Sequence, residues 1–146
     1  MTTAVMANET FTIREEIRVR ASMEKTFASL LVQMGRENQT PDGKPLPMVI
    51  EPRPGGRWFR DLGSDSGHLW GFVQSIKPPT LLEIFGPLMM SYPIAGHLIV
   101  RLTPTAGGTK LVFKNEVFGP IPDDFRDGMA EGWGQLLDAM KRDVEG

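Results

Sequence analysis

The sequence predicts an α+β protein, an antiparallel sheet of short strands closed by one long C-terminal helix. Three observations carry this. From Asp123 to Glu145, the residues Phe125, Met129, Trp133, Leu136, Leu137, Met140 and Val144 recur at steps of one, three and four. At about 100° per residue they share one face of a helix of about six turns. Between residues 48 and 118, apolar runs of strand length are separated by turns rich in Gly and Pro. Ahead of them stand one alternating segment and one shorter helical stripe.

A chain of 146 residues fits one domain and can bury a core without metal or disulfide support. Residues 1–9 are expected to be loosely ordered and 10–146 to form that domain. The net charge of −2 argues against a nucleic-acid backbone as partner, which needs a basic face. There are no cysteines, so thiol nucleophiles and thiolate metal sites are excluded. No apolar run approaches the roughly 20 residues of a membrane span. Met1 to Asn8 carries no signal pattern, and the cytoplasm is the expected location.

Each element has a local reason. Phe11, Ile13, Ile17 and Val19 share one parity, with Glu15 the exception, and the other parity is polar, as in a half-buried strand. Ser22 can cap a helix whose stripe is Met23, Phe27, Leu30, Leu31 and Met34, ending near Gly35. Asn38 to Pro47 reads as a loop. Met48–Glu51 is a short strand stopped by Pro52 and Pro54, and Arg57–Leu62 a second one after Gly55–Gly56. Gly63–Gly67 is a hairpin turn. His68–Lys77 is a long strand with Trp70, Phe72, Gln74 and Ile76 on the parity of His68. Leu81–Phe85, His97–Leu102 and Thr109–Phe118 are further strands, with Pro104–Gly108 as the last turn. Pro122 with Asp123 and Asp124 reads as the cap of the long helix. Within it, Gly132 at the edge of the apolar stripe leaves room for a neighbour or a ligand.

Pro54-Gly55-Gly56-Arg57-Trp58, Gly71 through Ile76 into Pro78-Pro79, Leu81-Leu82, Gly107 through Leu111, and Gly132-Trp133 ahead of Leu136-Leu137 follow in a characteristic order. In this the chain resembles the START-like (SRPBCC) superfamily, and within it the homologues of the heat-shock-protein ATPase activator. The resemblance implies a helix-grip fold: a curved antiparallel sheet wrapped around the long C-terminal helix, short helices after the first strand, and a cavity between sheet and helix. The superfamily includes lipid binders and cyclases. Trp70 and Phe72 depart from the smaller residues usual in that strand and would fill part of the cavity.

The function expected is binding of a small hydrophobic ligand in that cavity. The alternatives are an interaction domain like the chaperone ATPase activators, or a small cyclase, dehydratase or hydrolase in the same cavity. No Ser-His-Asp set, phosphate loop or dinucleotide fingerprint is present, so a non-catalytic role without cofactor or metal is preferred. His68 is the one weak candidate for an acid or base at the cavity mouth. His97 and the carboxylates Glu51, Asp61, Glu83 and Glu116 suit outward strand positions. The expected cavity set is Trp58, Arg60, His68, Trp70, Phe72, Gln74, Phe113, Asn115, Met129 and Trp133, with Gln74 and Asn115 as buried amides and Arg60 as an anchor for an anionic head group. Leu88, Met89, Met90 and Tyr92 lie in an apolar loop between Pro87 and Pro93 that should not stand free in water. It reads as a lid, a homodimer contact or a partner surface, and is expected to be covered by the long helix near Phe125 and Met129, by a second subunit or by a ligand.

Overall fold

A computed structural model describes residue 4 and residues 10–88 and 92–146. Its elements are β1 (Thr10–Val19), α1 (Met23–Met34), β2 (Val49–Ile50), β3 (Arg57–Gly63), β4 (Ser66–Lys77), β5 (Leu81–Gly86), β6 (Ala95–Thr105), β7 (Gly108–Phe118) and α2 (Asp123–Glu145). The strands form one antiparallel sheet in the order β1-β7-β6-β5-β4-β3-β2. This is the helix-grip α+β arrangement. The expected loose N-terminus lies, apart from Ala4, outside the described residues. Among the described residues no helix is long and apolar enough to cross a membrane.

The two helices start differently. Ser22 accepts from the Lys25 amide at 3.2 Å, as its position predicts. The cap of α2 is Pro122, whose backbone carbonyl receives the Phe125 and Arg126 amides. Asp123 and Asp124 lie inside the first turn and make no side-chain cap, a correction to the sequence reading. Pro122 is extended through its ψ of 147° while its carbonyl already accepts from the helix, so the first turn closes one residue earlier. The two carboxylates still favour the positive end of the helix dipole.

The apolar face of α2 lies in the concave side of the sheet. Trp133, Leu137 and Met140 are buried there, against Leu98, Val100, Leu102, Leu111 and Phe113, and Met129 is buried in a second cluster with Ile94, Val117 and Ile121. From the other side α1 supplies Phe27, Leu30 and Met34. Ser29 Oγ donates to Asp143 Oδ2 at 2.7 Å and ties the two helices. The β3–β4 hairpin turns on Ser64 and Asp65, both at positive φ (52° and 58°), the twist a two-residue hairpin requires. β6 runs on through Pro104 to Thr105, so its turn is tighter than the composition suggested.

Two irregularities in β4 decide which side chains face the helix. Trp58 pairs with Gly71 and Phe59 with Leu69, leaving Trp70 as an extra residue. Val73 pairs with Ile84 and Ser75 with Glu83, leaving Gln74 as a second. Each bulge reverses the alternation beyond it.

Candidate functional site

A cavity of about 330 Å³ lies between the first half of α2, the loop after α1, strands β3 and β4, and the β5–β6 connection. Three tryptophans from three elements form its inner wall. Trp58 and Trp70 meet edge to face with ring centres 5.1 Å apart, and Trp133 lies 6.0 Å from Trp58. Phe125, Met129 and Leu136 of α2 line the helix side. Pro41 and Leu46 close the cavity from the loop, and Leu88 and Tyr92 from the β5–β6 connection. The wall is predominantly apolar.

The glycines of α2 do different jobs. Gly128 and Gly132 border the cavity, and a Cβ would meet no atom within 4 Å at Gly128 and only Pro41 Cγ, at 3.5 Å, at Gly132. They hold space open. Gly134 is the place of close approach, where a Cβ would stand 3.3 Å from Glu15 Oε1.

Leu88 is seated by glycines from three strands. A Cβ on Gly71 would come within 3.3 Å of Leu88 Cδ2, and one on Gly96 within 2.9 Å of Cδ1. Gly86 lies against Gly71, where a Cβ would stand 2.6 Å from the Gly71 Cα. In this bay Leu88 is only 3% exposed, and its amide donates to the Trp70 carbonyl at 2.8 Å. At the other end of the connection, the ring of Tyr92 lies 4.5 Å from Phe125 of α2. Both described ends of the apolar loop are therefore held by the chain itself. Met89 and Met90, expected with them in the lid or interface, lie outside the described residues.

Of the residues expected in the cavity, Trp58, Trp70, Met129 and Trp133 line it. Phe113 stands one layer behind, its ring 4.8 Å from Trp133. Asn115 is fully buried, and neither amide atom has a partner among the described residues. Four others sit elsewhere. Phe72 faces the outer side of the sheet, its ring 5.8 Å from the exposed Phe85, because the bulge at Trp70 reverses the alternation. Gln74 is the extra residue of the second bulge and is exposed. Arg60 Nη1 donates to the Pro47 carbonyl at 2.6 Å and braces the loop rather than a ligand. His68 pairs with Arg60 across the hairpin, half-buried with its Nδ1 enclosed and unpartnered, and does not line the cavity. Alternation alone cannot reveal a bulge; Gly71, between two large aromatics, is the only hint in the sequence.

The polar atoms of the wall are few. Trp58 Nε1 is committed to the Met34 carbonyl at 2.8 Å, and Asn38 Nδ2 to the Leu46 carbonyl at 3.1 Å. Trp70 Nε1 is enclosed without a partner among the described residues.

The carboxylates are structural. Asp61 accepts from the Gly63 amide at 2.8 Å within the hairpin. Glu83 pairs with His97 at 3.0 Å, and Glu116 with Lys114 at 2.6 Å, which holds the Glu116 carboxyl below its usual range. Glu51 receives Arg57 Nε at 2.8 Å and Nη2 at 3.0 Å, and this fork lowers it to about 2. A lowered carboxylate stabilises above its unfolded value of 4.5 and loses that contribution as pH falls toward about 2. Arg57→Ala is expected to return the Glu51 titration toward the ordinary range, read from its carbon shift by NMR.

Glu15 behaves oppositely. It stands on the inner parity of β1, across from Phe113, and burial with the nearby Asp138 raises its carboxyl. The folded state then holds the Glu15 proton more tightly than the unfolded one. Stability is full below the unfolded value of 4.5 and declines as pH rises through the raised value. Glu15→Gln should raise the melting temperature near neutral pH and leave it almost unchanged in acid. An equal effect at both would remove the ionisation argument.

The likeness to known proteins is one of fold and family. No curated protein matches the sequence. An uncharacterized protein from Rhizobium leguminosarum is 20% identical, with a TM-score of 0.68 over 95% of this chain and 99% of that one. The Aha1 dimer from Colwellia psychrerythraea is 16% identical, with a TM-score of 0.67 over 92% and 96%. CalU16 from Micromonospora echinospora is 18% identical, with a TM-score of 0.63 over 97% and 86%. Residues 43–145, which carry β2 to β7, α2 and the cavity's tryptophans, match the family described as Activator of Hsp90 ATPase homolog 1-like protein, and the chain belongs to that family.

Proposed function

We propose that the protein binds a small, mostly apolar ligand in the cavity between sheet and C-terminal helix. The observation that carries this reading is the cavity itself: about 330 Å³, walled by three tryptophans, Met129, Phe125 and Leu88, with little polar surface. A closed core of this size would have filled that space, because interiors are packed to crystal density. Gly128 and Gly132 leave it open at the helix. Apolar pockets with a few polar groups are the common form of small-molecule sites.

Titration with the neutral fluorophore N-phenylnaphthylamine tests this. Emission should rise on binding and tryptophan fluorescence should fall, since three tryptophans line the site. Trp70→Ala is expected to weaken binding by about tenfold, one wall ring being worth on the order of 1–2 kcal/mol. No saturable binding, or binding indifferent to Trp70→Ala, would remove the proposal. Native mass spectrometry of protein purified from its own host would identify a retained ligand.

A second reading is favoured by the family match: an interaction domain acting on a chaperone ATPase. It predicts a change in that ATPase rate on titration with this protein, and a flat titration counts against it. A relative of the same fold is described as a dimer, and light scattering would show whether this chain self-associates.

A further inference from the structure

Asn115 is the most costly polar residue in the core. It is 0% exposed, and among the described residues neither its carbonyl oxygen nor its amide nitrogen has a partner. A buried amide left unpaired costs on the order of 1–3 kcal/mol. Its neighbours across the sheet, Ile13 and Leu98, carry no polar side-chain atom. An apolar residue of the same branching would leave no polar atom unpaired there.

Its place is set by alternation along β7. Phe113, Asn115 and Val117 share the inner face and are all buried. Phe113 contacts Trp133, and Val117 packs in one cluster with Met129. Asn115 therefore faces α2 between Met129 and Trp133, and both of those line the cavity. It stands one side chain behind the wall. Of the two residues in front of it, Met129 can move: its unbranched thioether chain adapts where an indole clamped between Trp58 and Phe113 cannot.

We propose that Asn115 is the interior anchor of the cavity ligand, its amide receiving an uncharged polar group that offers donor and acceptor together, such as a primary amide, once Met129 swings aside. This rests on the cavity reading above. An Asn side chain presents both a donor and an acceptor, so a group with both satisfies it in one pairing. The ionisable groups facing this region are Glu15, across from Phe113, Asp138 of α2, whose charge acts on Glu15, and Arg126 of α2, whose guanidinium lies 5.4 Å from the ring of Phe11 and pairs with Asp123 at 3.6 Å. Two of the three are acidic and the cation is already engaged by Asp123, so a buried anion costs more here than a neutral amide.

The test is displacement of N-phenylnaphthylamine by decanamide, methyl decanoate and decanoate, on wild type and on Asn115→Leu. Methyl decanoate is neutral but has no donor. Wild type should take decanamide about tenfold more tightly than the ester, and decanoate least. In Asn115→Leu the order of amide and ester should reverse, because the amide then gives up its water for nothing. That variant should melt no lower than wild type, and Asn115→Val repeats the test with a smaller side chain. The same amide-to-ester ratio in wild type and both variants overturns the proposal. So does failure of decanamide to displace the probe. If the probe itself does not bind wild type, the cavity reading falls as well.

Discussion

Trp133→Ala should cost about 3–5 kcal/mol of stability, the usual range for a large aromatic removed from a core. Trp133 is 7% exposed and joins three parts of the molecule: α2 that carries it, Phe113 of β7 at 4.8 Å, and Trp58 of β3 at 6.0 Å. Its removal detaches the middle of the helix from both halves of the sheet. It also merges the space of the indole with the cavity, so the protein cannot easily collapse to fill it. Domains of this size have about 5–15 kcal/mol in total. A thermal melt should fall on the order of 10 °C, and N-phenylnaphthylamine should bind more weakly in the same variant. An unchanged melting temperature would mean that the helix is not held by this residue.

Gly71→Ala should be a strongly damaging single-methyl insertion near the site. The added Cβ would stand 2.7 Å from the Phe85 carbonyl oxygen and 2.8 Å from Ile84 Cγ2. The first is backbone of the adjacent strand, so relief requires β4 and β5 to part. Overpacking of this kind costs about 1–3 kcal/mol. The effect should reach beyond stability, because the same Cβ presses on Leu88, which lines the cavity. Hydrogen exchange should show the Leu88 amide, bonded to the Trp70 carbonyl, losing protection earlier than the β6–β7 ladder. Equal protection at Leu88 in variant and wild type would show that the glycine bay does not seat the loop.

Family membership locates the protein among helix-grip domains but does not name a ligand, since one fold serves many functions. The chemistry of the cavity is the more specific guide. On the reading proposed above, its ring-lined wall and the Trp70 Nε1 and Asn115 amide, unpartnered among the described residues, would suit a neutral, largely apolar molecule.

Much of this was legible in the sequence by itself. The limits of α2 follow from the spacing of its apolar residues, and the order of strands from turn chemistry, because both are local. Ser22 as a cap and Trp133 as the central core residue are likewise local facts: a hydroxyl at the right step, the largest ring on the stripe. Tertiary structure decided what no periodicity encodes. Two bulges in β4 put Trp70 in the wall while Phe72 faces outward and Gln74 is exposed, because the partner strand, not the strand itself, sets which residue is left unpaired. The bay for Leu88 needs Gly71, Gly86 and Gly96 from three strands, each of which alone reads as a turn or a weak point. Glu15 shows the same limit. Its parity placed it on the inner face, but only the packing of Gly134 and Asp138 of α2 over β1 makes it a half-buried carboxyl with a raised proton affinity.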